Sequence, residues 1–304
     1  MPNCISILKA ATLKLGSLRQ PVITKYQLGK LIFDLHIEGS YQGQPLCTRK
    51  EIPIQNDFSR VLKELLDTAI LNENPNFPTR SVFNILGKEP KSPGEIACIV
   101  DPFAYVSHLS AMEYHGLTDR FPKILYITSL SSNEWSMTAI EKMDKDFTVY
   151  RNDYRDSGFP KLQRIKIGKI SGMNVQLTKA KTYLGAYAVV QDSALRISTI
   201  GRTFFDMLRN PADCGGIRHV IDVYKNNAHI YIKAIVEEIE RHGGPIDKVR
   251  AGYILDEICE LSDPKINNWL EYVQRGGSRK LVANASYSPI FSDKWCISLN
   301  LEEV

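Results

Sequence analysis

The sequence predicts an α+β protein in two parts, a small helix-rich N-terminal part and a larger mixed part. Three observations lead there. Between residues 24 and 67, apolar residues recur every three or four positions, the period of a helix. Gly87-Lys88-Glu89-Pro90-Lys91-Ser92-Pro93-Gly94 then sets two prolines and two glycines among charges, the composition of a linker. Beyond it, β-branched and aromatic runs alternate with helix-period stretches. A chain of 304 residues that is 43% hydrophobic suffices for two cores, and the division falls between residues 1–88 and 95–304.

In order, Ile5, Leu8, Leu13 and Leu15 alternate with Lys9, Lys14 and Arg19, which suits a strand or a short helix. From Thr24, Leu28, Leu31, Ile32 and Leu35 share one helical face, and Gly39 ends it. Thr48-Arg49-Lys50-Glu51 has the T-x-x-E form of a capping box, and Pro53 limits that helix to a turn or two. Asn56-Asp57 caps a further helix with Phe58, Val61, Leu62, Leu65 and Leu66 inside and Ser59, Arg60, Lys63, Glu64 and Asp67 outside. A turn cluster and an alternating strand ending near Leu86 follow.

Helix, short capped helix, turn, helix and two-stranded wing is the order of a winged helix-turn-helix, whose last helix enters the DNA major groove. Ser59, Arg60 and Lys63 would then lie on the reading helix, with Arg49, Lys50 and Arg80 at phosphates. Residues 1–63 carry nine basic side chains against four acidic ones, a larger excess than the +4 of the whole chain. Glu64 and Asp67 oppose phosphate if they face it. A solvated face on a protein-binding winged helix is the alternative.

The second part opens with EIACIV as a strand. Asp101 as cap, Pro102 in the first turn and Gly116 as terminator then predict a helix of about four turns with a polar seam of His108, Glu113 and His115. KILYITS, FTVYR, LQRIKIGKI, MNVQLT and AYAVVQ read as strands. Thr199 caps a helix through IGRTFFDMLRN that Pro211 ends, and a helical tail breaks at Gly243-Gly244 and Gly276-Gly277 before a closing strand, KWCISLNL.

His108 and His115 stand seven apart, too far to share a metal as a four-apart pair does, and favour core roles. Asp144 and Asp146 on a strand edge suit a solvated turn better than a cation. There is no Walker motif, no G-x-S-x-G and no GxGxxG, and Gly16-Ser17 lacks the acidic pair of a nucleotidyltransferase. These readings imply no cofactor, no metal and no enzyme. The six cysteines show no CxxC or CxxH pair, which implies reduced thiols. With neither a membrane span nor a signal peptide, the cytoplasm is the expected location.

A second basic stretch runs from Arg151 to Lys181, where Arg151, Arg155, Lys161, Arg164, Lys166, Lys169, Lys179 and Lys181 face only Asp153 and Asp156. On strands, Arg164, Lys166 and Lys169 would share a face. Such a surface suits DNA, RNA or an acidic protein, and equally an edge strand protected by lysines.

Residues 107–119, SHLSAMEYHGLTD, resemble the helix-and-turn signature of the AbiEi family, antitoxins of type IV abortive-infection toxin-antitoxin systems. The similarity continues through residues 197–224, with Arg202, Thr203, Asp206, Leu208, Arg209, Pro211 and Gly215-Gly216, and into KWCISLN. The resemblance implies a bacterial transcriptional repressor that binds inverted repeats of double-stranded DNA in its own promoter. It also implies that the C-terminal domain counteracts a nucleotidyltransferase-like toxin of the same operon without a stable complex. A monomer in solution that binds DNA cooperatively belongs to the same expectation. In the alternative reading, the chain is an interaction module that binds a partner or toxin directly, with no operator.

Overall fold

A computed structural model describes residues 4–48, 52–90, 92–180, 185–275 and 279–301. The protein is a mixed α+β structure with a six-stranded sheet, a three-stranded sheet and two two-stranded ladders.

Ser6 accepts a hydrogen bond from the Lys9 amide and starts α1 (Ile7–Ser17), which buries Ala10, Ala11 and Leu15. A short strand, β1 (Val22–Thr24), runs straight into α2 (Lys25–Glu38). There Thr24 and Gln27 cap each other reciprocally, and Gly39 closes the helix at φ 61°, in the left-handed region that favours glycine. A tight hairpin, β2 (Ser40–Tyr41) and β3 (Gln44–Pro45), leads to a parallel bridge between Ile5 and Leu46.

Beside that bridge Cys4 and Cys47 form a disulfide with Cα atoms 5.4 Å apart. The expectation of six reduced thiols is therefore corrected. Sequence spacing gave no sign of the pair because 43 residues separate it and only the folded hairpin brings it together. Cys98 and Cys214 are buried free thiols, and Cys259 and Cys296 are half-buried ones.

The next helix, α3 (Gln55–Asp67), buries Phe58, Val61, Leu62 and Leu65, and the Asp57 carboxylate accepts from the Ile54 amide at its start. Strands β4 (Leu71–Glu73) and β5 (Val82–Ile85) pair antiparallel, and β5 also pairs with β1, giving the order β1-β5-β4.

The segment expected as strand EIACIV is α4 (Pro93–Val100), with Ser92 as cap and Pro93 in the first turn. A six-residue apolar run has no period of its own, so the flanking cap decides. Past it, the expected four-turn helix from Asp101 is absent. Asp101 is buried and its carboxylate accepts from the Phe103 amide, Ser129 Oγ and Trp135 Nε1 at 2.7–3.0 Å. The Phe103 bond is local, but the Ser129 and Trp135 donors reach in from later in the chain and hold the carboxylate in the tertiary structure, and Tyr105–Val106 becomes strand β6. Only His108–Tyr114 remains helical, as α5.

Strand β7 (Ile124–Leu130) precedes α6 (Ser132–Phe147) and α7 (Arg151–Asp156). FTVYR is thus the end of α6 and a 3-10 turn rather than a strand. Of LQRIKIGKI only β8 (Lys169–Ile170) pairs, while β9 (Met173–Ala180) and β10 (Tyr187–Val189) lie where strands were expected, and β11 (Arg196–Ser198) is a strand the sequence reading does not include. The sheet order is β10-β11-β6-β7-β9-β8, and β7 with β9 forms a seven-residue parallel ladder at its heart.

Thr199 caps α8 (Ile200–Arg209), which crosses the 26-residue α9 (Ile217–His242). Arg202 and Glu238, both buried, meet between them at 2.7 Å. After α10 (Pro245–Gly252), a π-helical turn (Tyr253–Ile258) and α11 (Pro264–Asn268), the chain ends in the ladder β12 (Phe291–Ser292) and β13 (Ile297–Ser298). The break at Gly243-Gly244 separates α9 from α10, whereas Gly276-Gly277 lies outside the described residues.

The division at residues 88 to 95 is not a division of cores. Phe147, Tyr154 and Phe159 belong to the same buried cluster as Phe33 and Phe58. Phe147 stacks on Tyr154 with centroids 3.6 Å apart, and Phe33 meets Phe147, Tyr154 and Phe159 edge-on. On the other side, Val22 and Val82 pack with Ile96 and Val100 of α4. Gly29 permits the contact, since a Cβ there would stand 2.9 Å from Pro160 Cδ and from the Tyr154 hydroxyl.

The disulfide ties the chain start to the segment before α3. A closed loop of this length restricts the unfolded chain by about 4 kcal/mol in the loop-entropy account. Cys4→Ser is expected to lower unfolding free energy by about 2–4 kcal/mol in denaturant titration under non-reducing conditions. Equal stability of the variant and the parent would show that the bond contributes nothing.

Candidate nucleic-acid interface

Helix α3 presents two unlike faces. Phe58, Val61 and Leu65 lie inside, and Asn56, Ser59, Arg60 and Lys63 recur on the outside, all exposed, about one turn apart. An amide, a guanidinium and an ammonium in that spacing match base edges and phosphates. Gln55 is exposed too, but its side chain lies against Gly158. The exposed Arg60 guanidinium stands 3.6 Å from the half-buried Asp57 in an i,i+3 pair. Glu64 is half-buried and Asp67 exposed at the helix end, beyond the basic pair.

Arg80 sits in the β4–β5 connection with φ 56°, exposed, its amide donating to Glu73 and its guanidinium 3.7 Å from the same carboxylate. It also lines a cavity of about 270 Å³ between the N-terminal elements and the segment after α7. Lys25 from the start of α2 and Lys161 from that segment line the same cavity, and no carboxylate does. One residue from each of the two basic stretches thus meets in one place. Sequence reading had kept them apart, because the link depends on residues 147–160 folding back onto α2.

The other predicted residues divide. Arg49 and Lys50 lie outside the described residues. Arg151 and Arg155 are exposed on α7, with Arg155 donating to Asn152 and facing Asp156. Arg164, Lys166 and Lys169 do not share a strand face. Residues 160–167 form no strand, Arg164 turns inward to within 4.0 Å of Asp101, Lys166 is exposed, and Lys169 lies on the edge strand β8. Asn56 and Lys25 were missed as site residues. Asn56 was read only as a cap, yet its place four residues before Arg60 put it on the same face.

The histidines weighed against a metal role have structural partners. His115 Nε2 donates to the Ser198 carbonyl at 2.8 Å, and His108 bridges Ser107 Oγ and the Asn210 amide. Asp144 and Asp146 are on α6 rather than a strand edge, and Asp146 accepts from the Tyr26 hydroxyl at 2.7 Å. No group of three such ligands gathers among the described residues. No helix among them is long and apolar enough to cross a membrane.

No protein-family profile matches the chain, and no curated protein matches it. Among solved structures, the RV2827C protein from Mycobacterium tuberculosis is similar at 13% identity with a TM-score of 0.49, over 96% of this chain and 90% of that one. A likeness of that degree carries no functional argument.

Under α3 lies His36 of α2, buried, with neither ring nitrogen hydrogen-bonded among the described residues. Burial lowers its pKa from the ordinary histidine value; Asp57 pulls it up and Arg60 adds to the lowering. The unfolded chain therefore binds the proton more readily, and stability falls as pH drops below about 6.5 toward the lowered value. Thermal melts between pH 7.5 and 5 are expected to show this loss, and His36→Leu is expected to flatten it. An unchanged pH profile in the variant would contradict the assignment.

Proposed function

We propose that the protein is a DNA-binding transcriptional repressor and antitoxin of the AbiEi type. The observation that carries the DNA part is the exposed stripe Asn56, Ser59, Arg60 and Lys63 on α3, flanked by Arg80. The order α1, β1, α2, α3, β4, β5 with sheet β1-β5-β4 supports a winged helix-turn-helix reading. In it, α3 enters the major groove of double-stranded promoter repeats, and Arg80, Lys25 and Lys161 meet the phosphates beside it. The hairpin β2–β3 makes the passage from α2 to α3 longer than a simple helix-turn-helix turn. The solvent-facing Arg60–Asp57 pair, with Arg60 exposed and Asp57 half-buried, does not block the role. Such pairs are worth about 0–1 kcal/mol, whereas a bidentate arginine on guanine is worth about 1–3 kcal/mol, so DNA wins the guanidinium.

The antitoxin part rests on the resemblance at residues 107–119 and 197–224. The folded chain lays those segments side by side: His108 meets Asn210, His115 meets the Ser198 carbonyl, Thr118 meets His219, and Arg120 donates to the Gly215 carbonyl. They form one continuous seam. In this reading the C-terminal part counteracts a nucleotidyltransferase-like toxin without a stable complex, uses no cofactor, and is not an enzyme. It is a monomer in solution, binds its repeats cooperatively and works in a bacterial cytoplasm, where the Cys4–Cys47 disulfide is the feature least in keeping with a reducing compartment.

One observation favours direct partner binding as a second reading. An apolar cleft of about 370 Å³ beside α5 and β11 has exposed Tyr114 on its wall, and Phe121, next to its Pro122, is 84% exposed. Co-purification of a neighbouring toxin through high salt would support that reading over an operator.

The Arg60→Glu, Lys63→Glu double variant is expected to bind the promoter duplex at least about 100-fold more weakly and to keep its antitoxicity. Equal affinity of the parent for promoter and random duplex would remove the repressor role. Joint loss of both activities in a folded variant would contradict the division of labour.

A further inference from the structure

A second cleft, far in chemistry from the basic face, lies between the six-stranded sheet and helices α8 and α10. Its volume is about 420 Å³, within the range of small-molecule sites. Among its walls are Thr178 and Lys179 of β9, Asp206 and Arg209 of α8, and Asp247 and Arg250 of α10.

The charges there do not cancel evenly. Asp247 accepts from Arg209 Nε and Nη2 at 3.1 and 2.8 Å, and the guanidinium also covers the Phe205 ring at 4.5 Å. That pair is fixed and nearly neutral. Arg250 donates its Nε to the Lys280 carbonyl at 2.9 Å, and no bond engages its two terminal nitrogens among the described residues. Lys179 is exposed at the cleft wall, with no carboxylate partner among the described residues.

Against these two cations stands Asp206, only 9% exposed. Its Oδ2 has no hydrogen-bond partner among the described residues. Burial pushes its carboxyl above the usual carboxylate range, with His108, Arg202 and Arg209 pulling it down and Glu238 adding to the rise. A carboxyl in a cleft wall with an unmet oxygen favours a ligand that brings a hydroxyl to that carboxyl.

The geometry points to a small phosphate monoester carrying hydroxyl groups, a sugar phosphate or nucleotide, as the ligand of this cleft. Lys179 and Arg250 hold the phosphate, and Asp206 accepts from a ligand hydroxyl. A dianionic phosphate balances both cations, whereas a carboxylate balances one. Thr178 and the Asn210 amide, also in the wall, add neutral polar contacts of the kind a sugar uses.

The test is calorimetric titration of the full chain with ribose 5-phosphate, AMP, inorganic phosphate and ribose, accompanied by thermal melts. Saturable binding of at least one of the two esters is expected, with a raised melting temperature, and the stronger of the two tells sugar phosphate from nucleotide. Lys179→Met, a surface change, and Asp206→Asn are each expected to weaken that binding at least tenfold, while Arg60→Glu leaves it unchanged. Absence of binding by both esters, equal affinity for inorganic phosphate or ribose, or parental affinity in Lys179→Met would overturn the proposal.

Discussion

The stack of Phe147 on Tyr154, edged by Phe33 and Phe159, is the contact on which the arrangement of this protein depends. These rings close the core of the N-terminal elements with side chains contributed from residues 147–159. Aromatic pairs of this kind add about 0.5–1.5 kcal/mol each beyond the area they bury, and several share the same ring. The Tyr26–Asp146 and Tyr154–Pro160 hydrogen bonds satisfy the two polar hydroxyls that the cluster takes out of water. As a result, the basic N-terminal elements do not swing on the Gly87–Gly94 segment. They are seated on the body, and Lys161 lines one cavity with Lys25 and Arg80.

That seating explains why charge could be read from the sequence and geometry could not. Helix α2 was legible from end to end, because its cap Thr24, its box partner Gln27 and its terminator Gly39 are all local signals. Helix α8 was legible from its cap Thr199 in the same way, whereas α3 and β7 were legible from their apolar patterns; α3 begins at Gln55, so Asn56 and Asp57 lie in its first turn and are not its cap. The failures share a cause of the opposite kind. Asp101 carries every local sign of a helix cap, yet two distant donors, the Ser129 hydroxyl and the Trp135 indole, claim its carboxylate. FTVYR has strand composition but continues α6, where Phe147 is drawn into the aromatic core. Cys4 and Cys47 pair only because the β2–β3 hairpin returns the chain to its start.

The basic residues follow the same rule. Ser59, Arg60 and Lys63 were identifiable from helical periodicity alone, and Asn56 shared that period. The second basic stretch was read as one surface, but its members have different fates. Arg164 faces the buried Asp101, Lys169 guards a sheet edge, and Lys161 joins the N-terminal cavity. Charge counted along the sequence measured supply; only the return of residues 147–161 onto α2 decided that Lys25, Arg80 and Lys161 line one cavity, with Arg80 also paired to Glu73 outside its walls. The seam joining α5 to α8 arises likewise, from segments about a hundred residues apart whose bonds run through His108 and His115.

The central claim is that α3, the β4–β5 connection and the Lys161 segment form one DNA-facing surface. Amide hydrogen exchange of the full chain, with and without the promoter duplex, tests it most directly. The account predicts slowed exchange at residues 55–67, 74–82 and 159–165 together, with the β8–β9 edge unchanged. Protection confined to the β8–β9 edge or to the α5–α8 seam, with α3 unaffected, would contradict it.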